Sequence, residues 1–148
     1  MRRASPGDLE STGTSHFTIV DAAGNAVSMT TTIESTFGSR IMVEGTGIWL
    51  NNSLAYSTFE PKGNPMDAHA GRRKLSGDCP TILMRDGRPW IALGTPGGHT
   101  IGQTVPQIIM NILDFGMDLP AALTAPRIAF AEPDVLLVER TVPEDVRA

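Results

Sequence analysis

Two hydroxyls and an imidazole stand side by side at Thr14-Ser15-His16, directly ahead of a stretch in which apolar residues alternate with polar ones. A hydroxyl beside a base is typical of nucleophilic catalysis, although polar residues that merely enter a sheet give the same pattern. Neighbouring side chains on an extended strand point to opposite faces. His16 is therefore poorly placed to serve Ser15, whereas it lies on the same side as Thr14.

A second group is the glycine loop, Gly94-Thr95-Pro96-Gly97-Gly98, which is followed by His99 and Thr100 ahead of a helical pattern. The N–H groups of a glycine-rich turn at a helix start can converge on negative charge. The loop lacks the Lys-Ser/Thr pair of a Walker phosphate-binding motif. It is therefore either a plain tight turn or an oxyanion hole, in which backbone N–H groups stabilise the charge of a tetrahedral intermediate.

Two further polar groups are less specific. Asn51-Asn52-Ser53 follows an apolar piece and could bind a polar substrate, although asparagine-rich turns are common. The basic run at residues 72–74 precedes Ser76 and is typical of a solvated face.

Metal and disulfide chemistry find little support in the sequence. The single cysteine, Cys79, excludes an internal disulfide framework. His69 and His99 show no spacing typical of metal ligands. The sequence therefore predicts no metal and no cofactor.

Two β-hairpins are predicted to position the first two groups. The first hairpin joins residues 16–20 to residues 27–33, where β-branched residues favour strand over helix. The second joins residues 81–84 to residues 90–93 around Asp86-Gly87, a strong two-residue hairpin signal. The glycine loop follows the second hairpin directly.

A helix is predicted after the glycine loop, because its apolar residues recur at helical spacing. Pro106 lacks an N–H group and is expected in the first turn, and Gly116 can end the helix. A shorter helix is predicted from Asp118 as N-cap to Thr124. The apolar face of the first helix consists of Ile101, Val105, Ile108, Ile109, Ile112 and Leu113, and short strands are expected around Ile128 and Val135–Val138.

The composition limits the class of protein. A chain of 148 residues suits one domain, and 41% hydrophobic against 19% charged residues disfavours disorder. A formal net charge of −4 argues against nucleic acid or an anionic membrane as a partner. No apolar run approaches the roughly 18 residues that a membrane span needs. The order of hairpin, long irregular connection (residues 35–80), hairpin, helices and strands predicts an α+β fold with antiparallel sheet.

A series of short motifs also runs through the chain in a defined order. They are Thr14-Ser15-His16-Phe17, Asp21, Gly24-Asn25-Ala26-Val27-Ser28, Thr32, Phe37-Gly38-Ser39, Gly47-Ile48-Trp49-Leu50-Asn51-Asn52, Leu75-Ser76, Pro80-Thr81-Ile82, the glycine loop and Ala125-Pro126-Arg127. Each motif is weak alone. Together, over residues 14–140, they resemble the small-subunit portion of the γ-glutamyltranspeptidase family.

The resemblance implies an N-terminal-nucleophile hydrolase fold, an αββα sandwich of which this chain would be the small-subunit half. Members cut their own precursor, so the resemblance implies cleavage between Gly13 and Thr14. Residues 1–13 would then be the pre-cleavage segment, and residues 14–148 a small-subunit domain truncated at its C-terminus. The implied partners are the large-subunit segment of the same precursor, forming a heterodimer after cleavage, and a small γ-glutamyl substrate.

The resemblance also assigns roles to single residues. Thr14 would be the nucleophile, Thr32 would hydrogen-bond to it, and Gly97 with Gly98 would form the oxyanion hole. A free α-amine on Thr14 would be a base attached to the hydroxyl that it activates. The expected substrate-binding residues are Glu34, Asn52, Ser53, Tyr56, Ser76 and Gly77.

Several of these positions depart from the family pattern. Ala55-Tyr56 stands where members carry the acid that pairs with the substrate α-ammonium, and Glu34 stands where an Asn is usual. Ser53 replaces a Gln or Glu, and Gly77 replaces a second Ser. Residues two apart on a strand face the same side, so we expect Glu34 to reach the pocket of Thr32. A glutaryl- or cephalosporin-type acylase and a non-catalytic remnant remain the alternatives to γ-glutamyl transfer.

Overall fold

The computed structural model describes residues 13–57, 63, 68–73, 76–131 and 134–147, without the side chain of Tyr56. Residues 1–12 of the predicted pre-cleavage segment and Lys74 of the basic run lie outside the described residues. The strands are β1 (Thr14–Val20), β2 (Ala26–Thr32), β3 (Met42–Val43), β4 (Ile48–Trp49), β5 (Thr81–Arg85), β6 (Arg88–Leu93), β7 (Ile128–Ala131) and β8 (Val135–Val138). The helices are α1 (Ile101–Leu113), α2 (Leu119–Thr124) and α3 (Glu144–Arg147), with short 3-10 turns at Ser53–Tyr56 and Gly98–Thr100.

The first predicted hairpin is confirmed as the antiparallel pair β1–β2, which aligns Thr14 with Thr32 at one end and Val20 with Ala26 at the other. Residues directly opposite in such a pair share a face. One face is polar and carries Thr14, His16 and Thr32. The opposite face is apolar and exposed.

The second predicted hairpin is confirmed as β5–β6. Asp86 and Gly87 at its turn both have positive φ, 52° and 77°. Two successive positive φ values define the type I′ turn, whose twist matches that of the flanking strands. The hairpin packs beside β1–β2, because the Ser28 hydroxyl donates to the Leu93 carbonyl at 3.0 Å.

The α+β class is confirmed, although the described strands form four separate two-stranded sheets, β1–β2, β3–β4, β5–β6 and β7–β8. Among the described residues, no helix combines the length and apolar character needed to cross a membrane. The short strands predicted near the C-terminal end are β7 and β8. They pair with each other, and the long connection holds β3 and β4.

The predicted apolar face of α1 is confirmed for Ile101, Val105 and Ile108, which are buried, whereas Leu113 is 53% exposed. The expected place of Pro106 is wrong, because it is the sixth residue of α1 and lies in the second turn. The helix starts early because the 3-10 turn after Gly97 leads directly into Ile101, which is almost fully buried. Gly116 adopts φ +65° just beyond the end of α1, in agreement with its predicted role.

The cap of the second helix is also confirmed. The Asp118 carboxylate accepts a hydrogen bond from the Ala121 backbone N–H at 2.8 Å, which satisfies one free donor of the first turn of α2. Two Gln side chains of α1, Gln103 and Gln107, bond to the backbone of β7 through Phe130 and Ile128. The helix and this hairpin are thereby joined by polar contacts.

Candidate active site

Two threonines face each other across the open end of the first hairpin. Thr14 is the first residue of β1, and its partner Thr32 is the last residue of β2. Their hydroxyl oxygens lie 2.7 Å apart, which is a short hydrogen bond in which either atom can be the donor. The hairpin register alone brings these two predicted catalytic residues together.

The Thr32 hydroxyl has a second partner. The backbone N–H of Glu34 donates to Thr32 Oγ1 at 2.8 Å. A hydroxyl offers one hydrogen and two lone pairs. With one lone pair occupied by Glu34, Thr32 keeps a hydrogen and a lone pair for Thr14 Oγ1, so it can donate a proton to that oxygen or accept one from it.

The peptide bond ahead of Thr14 is enclosed by backbone. The Gly13 carbonyl accepts a hydrogen bond from the Ile33 N–H at 3.0 Å. A Cβ added to Gly13 would lie 2.9 Å from the Glu34 carbonyl oxygen and 3.0 Å from that of Ser35. Only glycine fits at position 13 without displacing this backbone.

Glu34 reaches this region by a different route from the one expected. Strand β2 ends at Thr32, and Glu34 has φ +76°, so strand alternation does not place its side chain. The expectation that Glu34 lies on the strand is therefore wrong. Its carboxylate instead accepts hydrogen bonds from the Ser35 hydroxyl and from Asn52 Nδ2, the latter at 3.3 Å.

Asn52 is held against the same turn by its backbone, since its N–H donates to the Ile33 carbonyl at 3.1 Å. The structure thus brings Asn52 and Glu34 together beside Thr32. The next residue, Ser53, is buried at 6% exposure, and its N–H donates to Asn51 Oδ1. Of Tyr56, the structure describes only the backbone, in the 3-10 turn that Ser53 begins.

The glycine loop adopts conformations that require glycine. Gly97 has φ 147° and Gly98 has φ 58°. Thr100 closes the loop onto α1, because its N–H and its hydroxyl both bond to the Gly97 carbonyl, at 3.2 and 2.9 Å. The loop thus ends at the start of a helix, where backbone N–H groups favour negative charge.

The predicted residues Ser76 and Gly77 lie beside the glycine loop. A Cβ on Gly77 would lie 2.7 Å from the Gly98 carbonyl oxygen, so the two backbones touch. Ser76 is exposed, and its hydroxyl donates to Asp78 Oδ2 at 3.0 Å while accepting from the Asp78 N–H at 3.2 Å. Asp78 was not predicted as a site residue. The sequence feature that could have indicated it is its position two residues after Ser76.

His16, which the sequence places beside Thr14 as a candidate without a specific role, links the Thr14–Thr32 pair to the glycine loop. A Cβ on Gly94 would collide with the His16 ring at Cε1 and Nδ1. His16 is two residues from Thr14 on the same face of β1, as expected. Its ring nitrogens contact the hydroxyls of Thr30 and Thr18, at 3.0 and 3.4 Å.

The side-chain amide and backbone N–H of Asn25, assisted by the backbone of Ala23 and Gly24, lower the pKa of Asp21 in the β1–β2 turn. That turn is at the end of the hairpin opposite Thr14. The described residues contain no group of three His, Cys, Asp or Glu side chains that could hold a metal ion.

Comparisons with known proteins identify a family for the chain. A family model described as gamma-glutamyltranspeptidase matches residues 2–148. The chain is 42% identical over 141 residues to the glutathione hydrolase proenzyme of Bacillus subtilis (strain 168), covering 95% of this chain and 24% of that protein. It is 38% identical over 138 residues to the acylase ACY 1 proenzyme of Pseudomonas sp. (strain SE83), covering 93% and 24%.

Solved structures of related enzymes are also similar to the chain. A mutant of Helicobacter pylori gamma-glutamyltranspeptidase superposes with a TM-score of 0.80 at 34% identity, covering 89% of this chain and 77% of that one. The Bacillus anthracis transpeptidase CapD superposes with a TM-score of 0.66 at 29% identity, covering 89% and 70%. The chain spans about a quarter of the length of the two proenzymes it matches.

Proposed function

The chain belongs to the γ-glutamyltranspeptidase family, with its N-terminal-nucleophile hydrolase fold, and we propose that it carries the threonine nucleophile of a γ-glutamyl-transferring amidase. The observation that carries the proposal is the 2.7 Å contact between the hydroxyls of Thr14 and Thr32. The enzyme would transfer or hydrolyse γ-glutamyl amides of the glutathione type.

Self-cleavage would come first. Thr14 Oγ1 adds to the Gly13 carbonyl carbon, the bond from that carbon to the Thr14 nitrogen breaks, and the nitrogen takes up a proton. The resulting ester is hydrolysed by water, which leaves a carboxylate on Gly13 and a free amine on Thr14. The Ile33 N–H that bonds to the Gly13 carbonyl at 3.0 Å supports this step, because it can stabilise charge developing on that oxygen.

Amide cleavage would follow on the same hydroxyl. The free α-amine, with a typical pKa of about 8, accepts the proton of Thr14 Oγ1 as the oxygen attacks the γ-carbonyl of the substrate. The N–H groups of Gly97 and Gly98 would stabilise the oxyanion, and the leaving amine departs with the proton. Water, or an acceptor amine, then releases the acyl group from Thr14.

Substrate recognition would use the residues around these two centres. We assign Ser76 and Gly77 to the α-carboxylate of the γ-glutamyl group, and Asn52 with Ser53 to the substrate-binding segment. Glu34 would pair with the α-ammonium, with Tyr56 as a neutral phenol near it. The contact of Asn52 with the Glu34 carboxylate supports placing both beside the acyl group.

The proposal includes partners but no cofactor. The large-subunit segment of the same precursor would complete the enzyme as a heterodimer, and residues 1–13 would end that segment. The coverage of about a quarter of each proenzyme is consistent with a longer precursor. No metal and no nucleic acid enter the mechanism.

Self-cleavage tests the proposal directly, with Ser15 as a matched control. Ser15 is a neighbouring hydroxyl on the opposite, exposed face of β1. In the complete precursor, mass spectrometry should find a fragment that begins at Thr14 in the wild type and in Ser15→Ala, and none in Thr14→Ala. An uncleaved wild-type precursor with full amidase activity would overturn the proposal.

A second candidate is a glutaryl-type acylase, favoured by the acylase relative at 38% identity and by the neutral Ala55-Tyr56 pair. The two candidates differ in whether the acyl group carries an ammonium. The processed enzyme should cleave γ-glutamyl-p-nitroanilide faster than glutaryl-p-nitroanilide. The reverse order would identify the acylase.

A further inference from the structure

The glycine loop begins directly after β6, at a point that contacts both β2 and β1. The carbonyl of Leu93, the last residue of β6, accepts the Ser28 hydroxyl of β2 at 3.0 Å. The next residue, Gly94, lies directly against the imidazole of His16 on β1. The loop therefore begins on the polar face of the hairpin that also carries Thr14.

The His16 ring is itself fixed. It is half-buried, and its two nitrogens contact Thr30 Oγ1 at 3.0 Å and Thr18 Oγ1 at 3.4 Å. A neutral imidazole has one donor and one acceptor nitrogen, whereas a hydroxyl can play either role. Two hydroxyls therefore hold the ring in one orientation whichever nitrogen carries the proton.

We propose that His16 is a positioning residue, which sets the start of the glycine loop relative to Thr14 through its direct contact with Gly94. This rests on the proposed function, in which Gly97 and Gly98 stabilise the oxyanion formed at Thr14. Thr14 and His16 are two residues apart on one strand, so one rigid element determines both the nucleophile and the loop start. A displacement of about 1 Å in such a site costs on the order of 100-fold in rate.

The contact predicts a specific pattern in three variants of the assembled enzyme. Gly94→Ala brings a methyl group into steric conflict with the His16 ring and should lower kcat about 100-fold with KM little changed. His16→Ala should lower kcat less, because it removes the support without pushing the loop away. The double variant should match His16→Ala, since removing the ring makes room for the methyl group.

Gly102→Ala is the matched control. It lies in α1, and its added Cβ would meet its nearest neighbour, the Gly77 carbonyl oxygen, at an ordinary 3.6 Å. It should leave kcat within about twofold of the wild type, because a contact of that length needs no rearrangement. The self-cleavage yield, measured in parallel, reports whether Thr14 itself is intact in each variant.

Amide hydrogen exchange of the peptide covering residues 94–100 gives a readout independent of turnover. Exchange should accelerate in Gly94→Ala and return toward the His16→Ala level in the double variant. A double variant as impaired as Gly94→Ala in both kcat and exchange would overturn the inference, as would wild-type kcat and exchange in His16→Ala. If the variants show this exchange pattern but the wild type cleaves neither itself nor γ-glutamyl amides, the proposed function is refuted and the contact remains established.

Discussion

At the scale of single residues, the candidate site depends on backbone as much as on side chains. The Thr32 hydroxyl accepts a hydrogen bond from the backbone N–H of Glu34, and the Gly13 carbonyl accepts one from the backbone N–H of Ile33. Backbone donors are held by the fold and need no reorganisation as charge develops. The consequence is that substitutions which move the chain at residues 13 or 33–35 should affect chemistry even where no functional side chain is lost.

Gly13 provides the clearest case. Gly13→Ala should slow self-cleavage about 100-fold, because the added Cβ would press on the Glu34 carbonyl at 2.9 Å and displace the scissile peptide bond. The rate is measured by following precursor and fragments on a denaturing gel. Gly102→Ala is the control, and unchanged processing in Gly13→Ala would contradict the expectation. Once cleavage is complete, kcat should equal the wild-type value, because residue 13 then belongs to the other fragment.

We propose Glu34 as the residue that distinguishes the γ-glutamyl from the glutaryl substrate. If its carboxylate pairs with the substrate α-ammonium, Glu34→Gln should raise KM for γ-glutamyl-p-nitroanilide about tenfold and leave the glutaryl analogue unaffected. The pair is half-buried, so its loss should cost less than the few kcal/mol typical of fully buried pairs. Gln keeps an oxygen that can accept from Ser35 and Asn52, so the local geometry is preserved.

Glu44→Gln is the matched control for this measurement, since Glu44 is an exposed acid in the β3–β4 connection. It should leave both substrates unchanged. A strong γ-glutamyl preference that survives Glu34→Gln would eliminate Glu34 as the partner of the ammonium.

At the scale of elements, the β1–β2 hairpin sets the register that aligns Thr14 with Thr32, and its turn holds that register. Asp21 in the turn accepts bonds from the N–H groups of Ala23 and Asn25, each at 2.9 Å, and from the Asn25 side chain at 2.7 Å. Gly24 supplies the positive φ of 84° that the turn needs. A one-residue slip would move Thr14 to the opposite face from Thr32.

The Asp21 carboxylate should make hairpin stability depend on acid pH. Its hydrogen bonds lower its pKa in the folded chain, so the stabilisation is present above the unfolded value of about 3.9 and is lost as the pH falls through the folded value. In the assembled enzyme, Asp21→Asn should lower the melting temperature at pH 7, and the difference should shrink toward pH 3. Asp145→Asn, an exposed acid in α3, is the control, and a difference independent of pH would contradict the assignment.

At the scale of the whole molecule, large apolar side chains are exposed on the β1–β2 hairpin. Phe17, Ile19, Val27 and Met29 share the face opposite Thr14 and are 41%, 58%, 49% and 47% exposed. A contiguous apolar surface of this kind usually contacts another protein segment. The proposed large-subunit partner would supply such a segment.

The 148-residue chain alone should therefore associate and show no turnover. Sedimentation velocity should detect oligomers, and Ile19→Thr with Val27→Thr should reduce them, because threonine keeps the β preference while it removes apolar area. Met84→Thr, at an exposed position on β5, is the control and should have a smaller effect. A monodisperse, cooperatively melting wild-type monomer would contradict the expectation.

The local sequence pattern was sufficient to predict most elements, although it did not predict β3 or α3. The alternation of apolar and polar residues, together with the Asp86-Gly87 turn, predicted both hairpins. The helical spacing of apolar residues predicted α1, and Asp118 predicted the cap of α2. These features depend on neighbours within a few residues, which a sequence displays directly. Pro106 was misplaced because the start of α1 is set by the buried Ile101 and by the preceding 3-10 turn, and neither is visible in the helical period.

The order of the residues was enough to predict the types of most elements, the shared face of Thr14 and His16 and, through the family resemblance, the candidate nucleophile. The way Glu34 reaches the site and the contact of His16 with Gly94 follow only from the packing of the folded chain. Glu34 leaves the strand with positive φ and meets Asn52, eighteen residues away. Gly94 is separated from His16 by β2, the whole long connection and the β5–β6 hairpin. Contacts between distant segments depend on how the hairpins pack against each other, and that packing leaves no periodic signal in the order of the residues.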